Sequence, residues 1–140
     1  FDRVPVEQVT DGALGGIWEQ VALMRRHRVA HRDLRLANVF LGDDGQSWII
    51  DFGFSELAAS DLLLRTDVAE LLASSTTVVG PDRAIGVACS VVGAEAVGGA
   101  STRLRPGMLS GATRTAMKAA PGLLDDLRRR VEPLAVDGSA

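Results

Sequence analysis

The chain has little lysine, cysteine or aromatic character. Among its 140 residues Lys118 is the only lysine, so fourteen of the fifteen basic residues are arginine; tyrosine is absent. Chemistry that needs an ammonium group upstream of residue 118 therefore finds none here. The single cysteine, Cys89, excludes an internal disulfide framework and a cysteine metal cluster, and its expected state is a buried, inert thiol in a reducing compartment. No apolar run reaches the length of a membrane span. The best candidate, 84–100, is about one helical turn short and contains Glu95 and several glycines, so a buried core helix is the better reading. Positive charge is not in excess either: a net charge of -3 and a pI near 5.3 leave no basic face to track phosphates, which argues against a nucleic-acid partner. The opening Phe-Asp-Arg-Val-Pro lacks an initiating methionine and an apolar signal segment, and Phe1 is read as a cut within a longer chain.

What is present fits one soluble globular domain: 46% apolar and 24% charged residues are enough for a core. The arginine and alanine bias suits a GC-rich genome. Leu14, Ile17, Trp18, Val21 and Met24 recur at steps of three and four, which predicts an amphipathic helix over 12–29. Its end carries Arg25-Arg26-His27-Arg28, a cationic last turn that the helix dipole explains without a ligand. Val39-Phe40-Leu41, the turn signal Gly42-Asp43-Asp44-Gly45 and Ser47-Trp48-Ile49-Ile50 predict a β-hairpin. Thr66 reads as an N-cap with Asp67 in the first turn of a helix. Pro81 opens a further helix whose stripe of Ile85, Ala88, Cys89 and Val92 ends at Gly98 and Gly99. A loop over 100–111, short helices at 112–120 and 122–131, and a frayed tail or linker at 132–140 complete the pattern.

Two motifs flank the hairpin. His31-Arg32-Asp33-Leu34-Arg35-Leu36-Ala37-Asn38 matches H-R-D-L-x-x-x-N, and Asp51-Phe52-Gly53 matches D-F-G. Asn38 follows Asp33 by five residues and Asp51 follows Asn38 by thirteen, so spacing and letters agree. On these residues the chain resembles the protein kinase-like superfamily. Phosphoryl transfer asks a protein for an oriented nucleophile and for cations that neutralise the phosphate oxygens. The resemblance implies that Asp33 orients or deprotonates the attacking hydroxyl, and that Asn38 and Asp51 bind Mg2+ and, through it, ATP. Arg35 stands where serine/threonine kinases carry a lysine near the transferred phosphate, although a guanidinium is not equivalent to an ammonium. Leu41, on the hairpin, is the remaining nucleotide-contact candidate. His31, Arg32, Phe52, Gly53 and Asp67 are implied as structural residues. His31 ties the loop to D-F-G, Arg32 could meet an activation-loop phosphate, and Asp67 could brace the loop backbone. The alternative for Asp67 is an ordinary first-turn acid.

The implied fold is mainly α with a small β-hairpin, the C-terminal lobe of a protein-kinase-like α+β fold over 1–131, with its catalytic core at about 14–72. Both the glycine-rich loop and the phosphate-binding lysine of an N-terminal lobe are missing. Since a two-lobed kinase needs roughly 250 residues, the chain reads as one lobe, feeble alone, with the N-lobe expected before Phe1. Asp67 follows Asp51 by only sixteen residues, and no A-P-E motif is present, so the peptide-binding platform is contracted. A small molecule or lipid then joins protein as the expected hydroxyl-bearing acceptor. The runs 30–38 and 67–72, with Leu109-Ser110-Gly111-Ala112-Thr113-Arg114, are also similar to the kinase-like region of actinobacterial lysylphosphatidylglycerol synthase or flippase-like membrane proteins. That resemblance implies a cytoplasmic module with a C-terminal membrane domain. Its functional alternative is a catalytically weak nucleotide-binding regulator.

Overall fold

The computed structural model describes residues 9–41, 46–50 and 52–139. Six α-helices and one two-stranded antiparallel sheet make up the regular structure of these residues: α1 (Asp11–Arg26), β1 (Val39–Leu41), β2 (Ser47–Ile49), α2 (Asp61–Val79), α3 (Pro81–Val92), α4 (Ala94–Gly99), α5 (Gly111–Lys118) and α6 (Leu123–Ser139). The expected hairpin is present, with Val39 opposite Ile49, Phe40 opposite Trp48 and Leu41 opposite Ser47. Its turn, 42–45, lies outside the described residues.

Helix α1 starts where the Thr10 hydroxyl accepts a hydrogen bond from the Ala13 amide at 3.0 Å, a side-chain cap for an otherwise unpaired donor. Leu14, Ile17, Trp18 and Val21 are buried and Met24 packs against them, so the predicted stripe is the core-facing one. The helix ends at Arg26, short of the predicted 29, because Arg28 turns left-handed at φ 55°. Arg28 also differs from the cationic last turn expected of it. Its Nη2 donates to Asp61 at 2.8 Å and its Nε to the Ala59 carbonyl at 3.0 Å, tying the end of α1 to the start of α2.

Helix α2 is the central one. Every residue from Asp67 to Thr76 is buried, on all faces, which is the signature of a helix enclosed by its neighbours. Its buried hydroxyls are satisfied within the helix: Ser75 and Thr76 donate to the Leu71 and Leu72 carbonyls at 2.6 and 2.8 Å. The cap expected at Thr66 is not there. The helix begins six residues earlier, with Ser60 accepting from Leu63 N, while Thr66 donates back to Leu62 O at 2.8 Å. Asp67 is therefore in the helix body, and its carboxylate is not one that serves the helix dipole.

The apolar stretch 84–100 is two helices and not one. Gly93, at φ 91°, takes a conformation that a side chain would strain, and the chain bends there by 120°. No single helix among the described residues is long and apolar enough to cross a membrane. Beyond it, 3-10 turns at Ser101–Arg103 and Pro106–Met108 give structure to the expected loop. The last helix continues through Pro133 to Ser139, where a frayed tail is expected from the sequence. Leu134 and Ala135 are half-buried, and α6 crosses α4 so closely that a Cβ on Gly98 would lie 2.6 Å from the Leu134 carbonyl carbon and would collide with the Ala135 amide.

Candidate active site

The H-R-D segment lies between α1 and β1, across the top of α2. Two of its backbone amides donate to one buried carboxylate: His31 N to Asp67 Oδ2 at 2.6 Å and Arg32 N to Asp67 Oδ1 at 2.9 Å. Burial raises the pKa of Asp67, and these two hydrogen bonds work against it by favouring the charged form. Arg32 sits at φ 74°, a left-handed conformation uncommon for a residue with a side chain. The paired bonds from its own amide and its neighbour's hold it there. A third link comes from Ser74, one to two turns further along α2, whose hydroxyl accepts from Leu36 N at 3.2 Å.

His31 is fully buried, and its partners define its tautomer. Nδ1 accepts from the Asp33 amide at 3.1 Å, so the ring proton is on Nε2, which donates to the Ile50 carbonyl at 2.8 Å. The ring also meets Phe52 edge-on, with centroids 4.8 Å apart. His31 thus contacts both residues that flank position 51. Asp51 itself lies outside the described residues, as does the side chain of Leu41. Phe52 and Gly53 are exposed in a 3-10 turn. The following segment is stitched back to the loop by an antiparallel bridge between Ala30 and Glu56, where Arg32 also lies 3.7 Å from the Glu56 carboxylate. Both side chains of that pair are half-exposed, so it contributes little.

Asp33, Arg35 and Asn38 come together. Arg35 Nε donates to Asp33 Oδ1 at 2.9 Å and Nη2 to Oδ2 at 3.4 Å. Asn38 Nδ2 donates to the Asp33 carbonyl at 2.7 Å and to Oδ2 at 3.0 Å. Partial burial pushes the Asp33 pKa up, but the hydrogen bonds from Arg35 and Asn38 and the Arg35 charge outweigh it, and the carboxyl titrates below its ordinary range. With its amide nitrogen committed to Asp33, the oxygen of Asn38 is the atom a hard cation would take. Among the described residues no cluster of three or more His, Cys, Asp or Glu side chains has a metal-binding arrangement.

Gln20 is a site-supporting residue that the sequence reading misses. Its Nε2 donates to Ser47 O at 2.6 Å and its Oε1 accepts from Ile49 N at 3.0 Å, so one side chain on α1 pairs with the free edge of β2 as a neighbouring strand would. No helical periodicity marks it; only the position of Gln20 beside the buried Ile17 and Val21 hints that it faces inward.

Comparison with known proteins gives a short local likeness. The chain is 41% identical over 46 residues to the serine/threonine-protein kinase kin-29 of Caenorhabditis briggsae and 44% identical over 46 residues to that of Caenorhabditis elegans. Each match spans 33% of this chain and 6% of the kinase. No family model and no solved structure matches. The likeness is to a kinase segment, in a chain whose described residues are mainly helical with one two-stranded sheet.

Proposed function

We propose that this chain is the C-terminal lobe of an ATP-dependent phosphotransferase acting on a hydroxyl acceptor. The observation that carries the proposal is the Asp33 carboxylate, kept ionised and aimed by Arg35 and Asn38 on a loop whose backbone is gripped from the core by Asp67. In the reaction the acceptor oxygen bonds to the γ-phosphorus as the bond to the β–γ bridging oxygen breaks, ADP leaves, and the acceptor proton passes to Asp33. A carboxylate with a depressed pKa is a weak base, so its first role is to orient the hydroxyl, and it takes the proton only as transfer proceeds. Asn38 and Asp51 are the residues that would hold Mg2+, whose charge neutralises the phosphate oxygens. Arg35 would leave Asp33 for the transferred phosphate.

The contracted segment between Asp51 and Asp67 supports a small-molecule or lipid acceptor. One observation favours a second reading, a nucleotide-binding regulator: Arg35 covers both Asp33 oxygens, which a module without turnover could keep permanently. Magnesium-dependent ATP turnover by the protein carrying this lobe separates the two. The proposal expects turnover to be abolished by Asp33→Asn and by Asp51→Ala. Nucleotide binding that survives Asp33→Asn, with no turnover in the parent protein, establishes the regulator instead.

A further inference from the structure

A second polar site lies at the end of α1, lined by none of Asp33, Arg35, Asn38 or Asp67. A cavity of about 470 Å3 is lined by Arg25, Arg65, Glu95, Ala96 and Gly99, where the last turn of α1 meets α2 and α4. Arg25 and Arg65 also line an adjoining pocket of about 240 Å3 together with Arg28 and Asp61. The charges do not cancel. Asp61 is bonded to Arg28 at 2.8 Å, and among the described residues no carboxylate lies within ion-pair distance of Arg25 or Arg65. With Glu95 as the one acid lining the larger cavity, the two guanidinium groups leave it a net positive charge.

Arg25 is the less ordinary of the pair. Its Nη1 is buried and has no hydrogen-bond partner among the described residues. Burial lowers its pKa, a pull that the nearby Arg65 and Arg28 reinforce and that Asp61 and, less strongly, Asp67 oppose. A guanidinium nitrogen that is out of water and has no acceptor is destabilising, so the Arg25 side chain is held there at a cost. Gly99 lies beside Arg65, where a Cβ built on it would be 3.7 Å from Arg65 Nε.

We propose that this cavity binds a phosphate oxyanion, free or as the phosphoryl group of a monoester, gripped by the Arg25 and Arg65 guanidinium groups. Planar forks of this kind match phosphate oxygens in pairs. The site is independent of the phosphotransfer reading and stands whether or not Asp33 is catalytic.

The test is a titration of the 140-residue chain with sodium phosphate at constant ionic strength, following the arginine Nε–H resonances. Saturable shifts at Arg25 and Arg65 are expected. Arg65→Gln should weaken binding about tenfold or more, as loss of a hydrogen bond to a charged group does. Arg65 is exposed and forms no ion pair among the described residues, so this variant should fold, which circular dichroism checks. Glu95→Gln should tighten binding about threefold, the Coulomb value for unit charges about 6 Å apart in water. Two further arms identify the source. Tighter binding of glycerol 3-phosphate than of inorganic phosphate supports a soluble monoester, and sedimentation with phosphatidic acid vesicles but not with pure phosphatidylcholine supports a lipid headgroup. Shifts reproduced by chloride, equal affinity in Arg65→Gln, or no response to vesicles and no saturation up to about 20 mM phosphate would overturn the proposal.

Discussion

Replacing Asp67 by asparagine tests whether the grip on the loop outweighs the penalty of burying a carboxylate. Asparagine keeps one oxygen for one of the two amides, at His31 or Arg32, and turns an NH2 group toward the other. Losing a charge-assisted hydrogen bond and orphaning a buried donor costs about 2.5–6 kcal/mol together. The amide also escapes the burial that raises the Asp67 pKa, which offsets part of that cost, and Arg32 gains freedom to relax from φ 74°, worth about 1 kcal/mol more. The net expectation is destabilisation by about 1–3 kcal/mol, or roughly 3–9 °C in the melting midpoint of a chain this size. The pH dependence has a defined sign. The folded pKa of Asp67 is raised, so its relative contribution to stability is full below the unfolded carboxylate value and is lost as pH rises through the folded one. The deficit of Asp67→Asn against the parent should therefore narrow as pH rises through that value. Urea denaturation across pH, with hydrogen exchange at the His31 and Arg32 amides, measures both. A variant as stable as the parent at every pH across that range, with those two amides still protected, would refute the reasoning.

Three other outcomes are expected. Gln20→Ala removes both bonds to β2 and should cost about 1–3 kcal/mol, with exchange accelerated at the Ile49 amide before the helices respond. Gly98→Ala places a methyl group against the backbone of α6 and should cost about 1–3 kcal/mol or more; an unchanged melting midpoint would mean that α6 does not sit against α4 as described. Asp33 has the opposite sign to Asp67. Its folded pKa is depressed, so it stabilises the fold above the unfolded carboxylate value and loses that contribution as pH falls through the folded one. The stability difference between the parent and Asp33→Ala should thus be full at neutral pH and vanish in strong acid.

The parts of the fold legible in the sequence are those where one local signal stands without a rival. The α1 stripe is a single periodicity, and the hairpin is two short apolar runs around a turn. The start of α2 differs from the expected one because two capping signals, Ser60-Asp61 and Thr66-Asp67, lie six residues apart, and the earlier one wins by adding a turn that carries the buried Leu64. The break at Gly93 hides inside a continuous apolar stripe, since hydrophobicity does not report the sign of φ. The continuation past Pro133 depends on space that Gly98 leaves on another helix, a tertiary fact with no local trace. At the candidate site the motif letters marked Asp33, Asn38 and His31. The bonds joining Asp33, Arg35 and Asn38, and the bridge from Gln20, depend on how the elements meet.

The grip of Asp67 falls on amides, and every residue but proline has one. The Arg32 side chain is thereby released from holding the loop in place and projects to a weak surface pair, whereas the His31 ring still ties the Asp33 amide to Ile50 and Phe52. Position 32 can accept glycine or asparagine, which tolerate its left-handed turn better than arginine does. Position 32 can thus vary its chemistry while the path of the loop over the core stays fixed, provided that position 67 keeps a carboxylate.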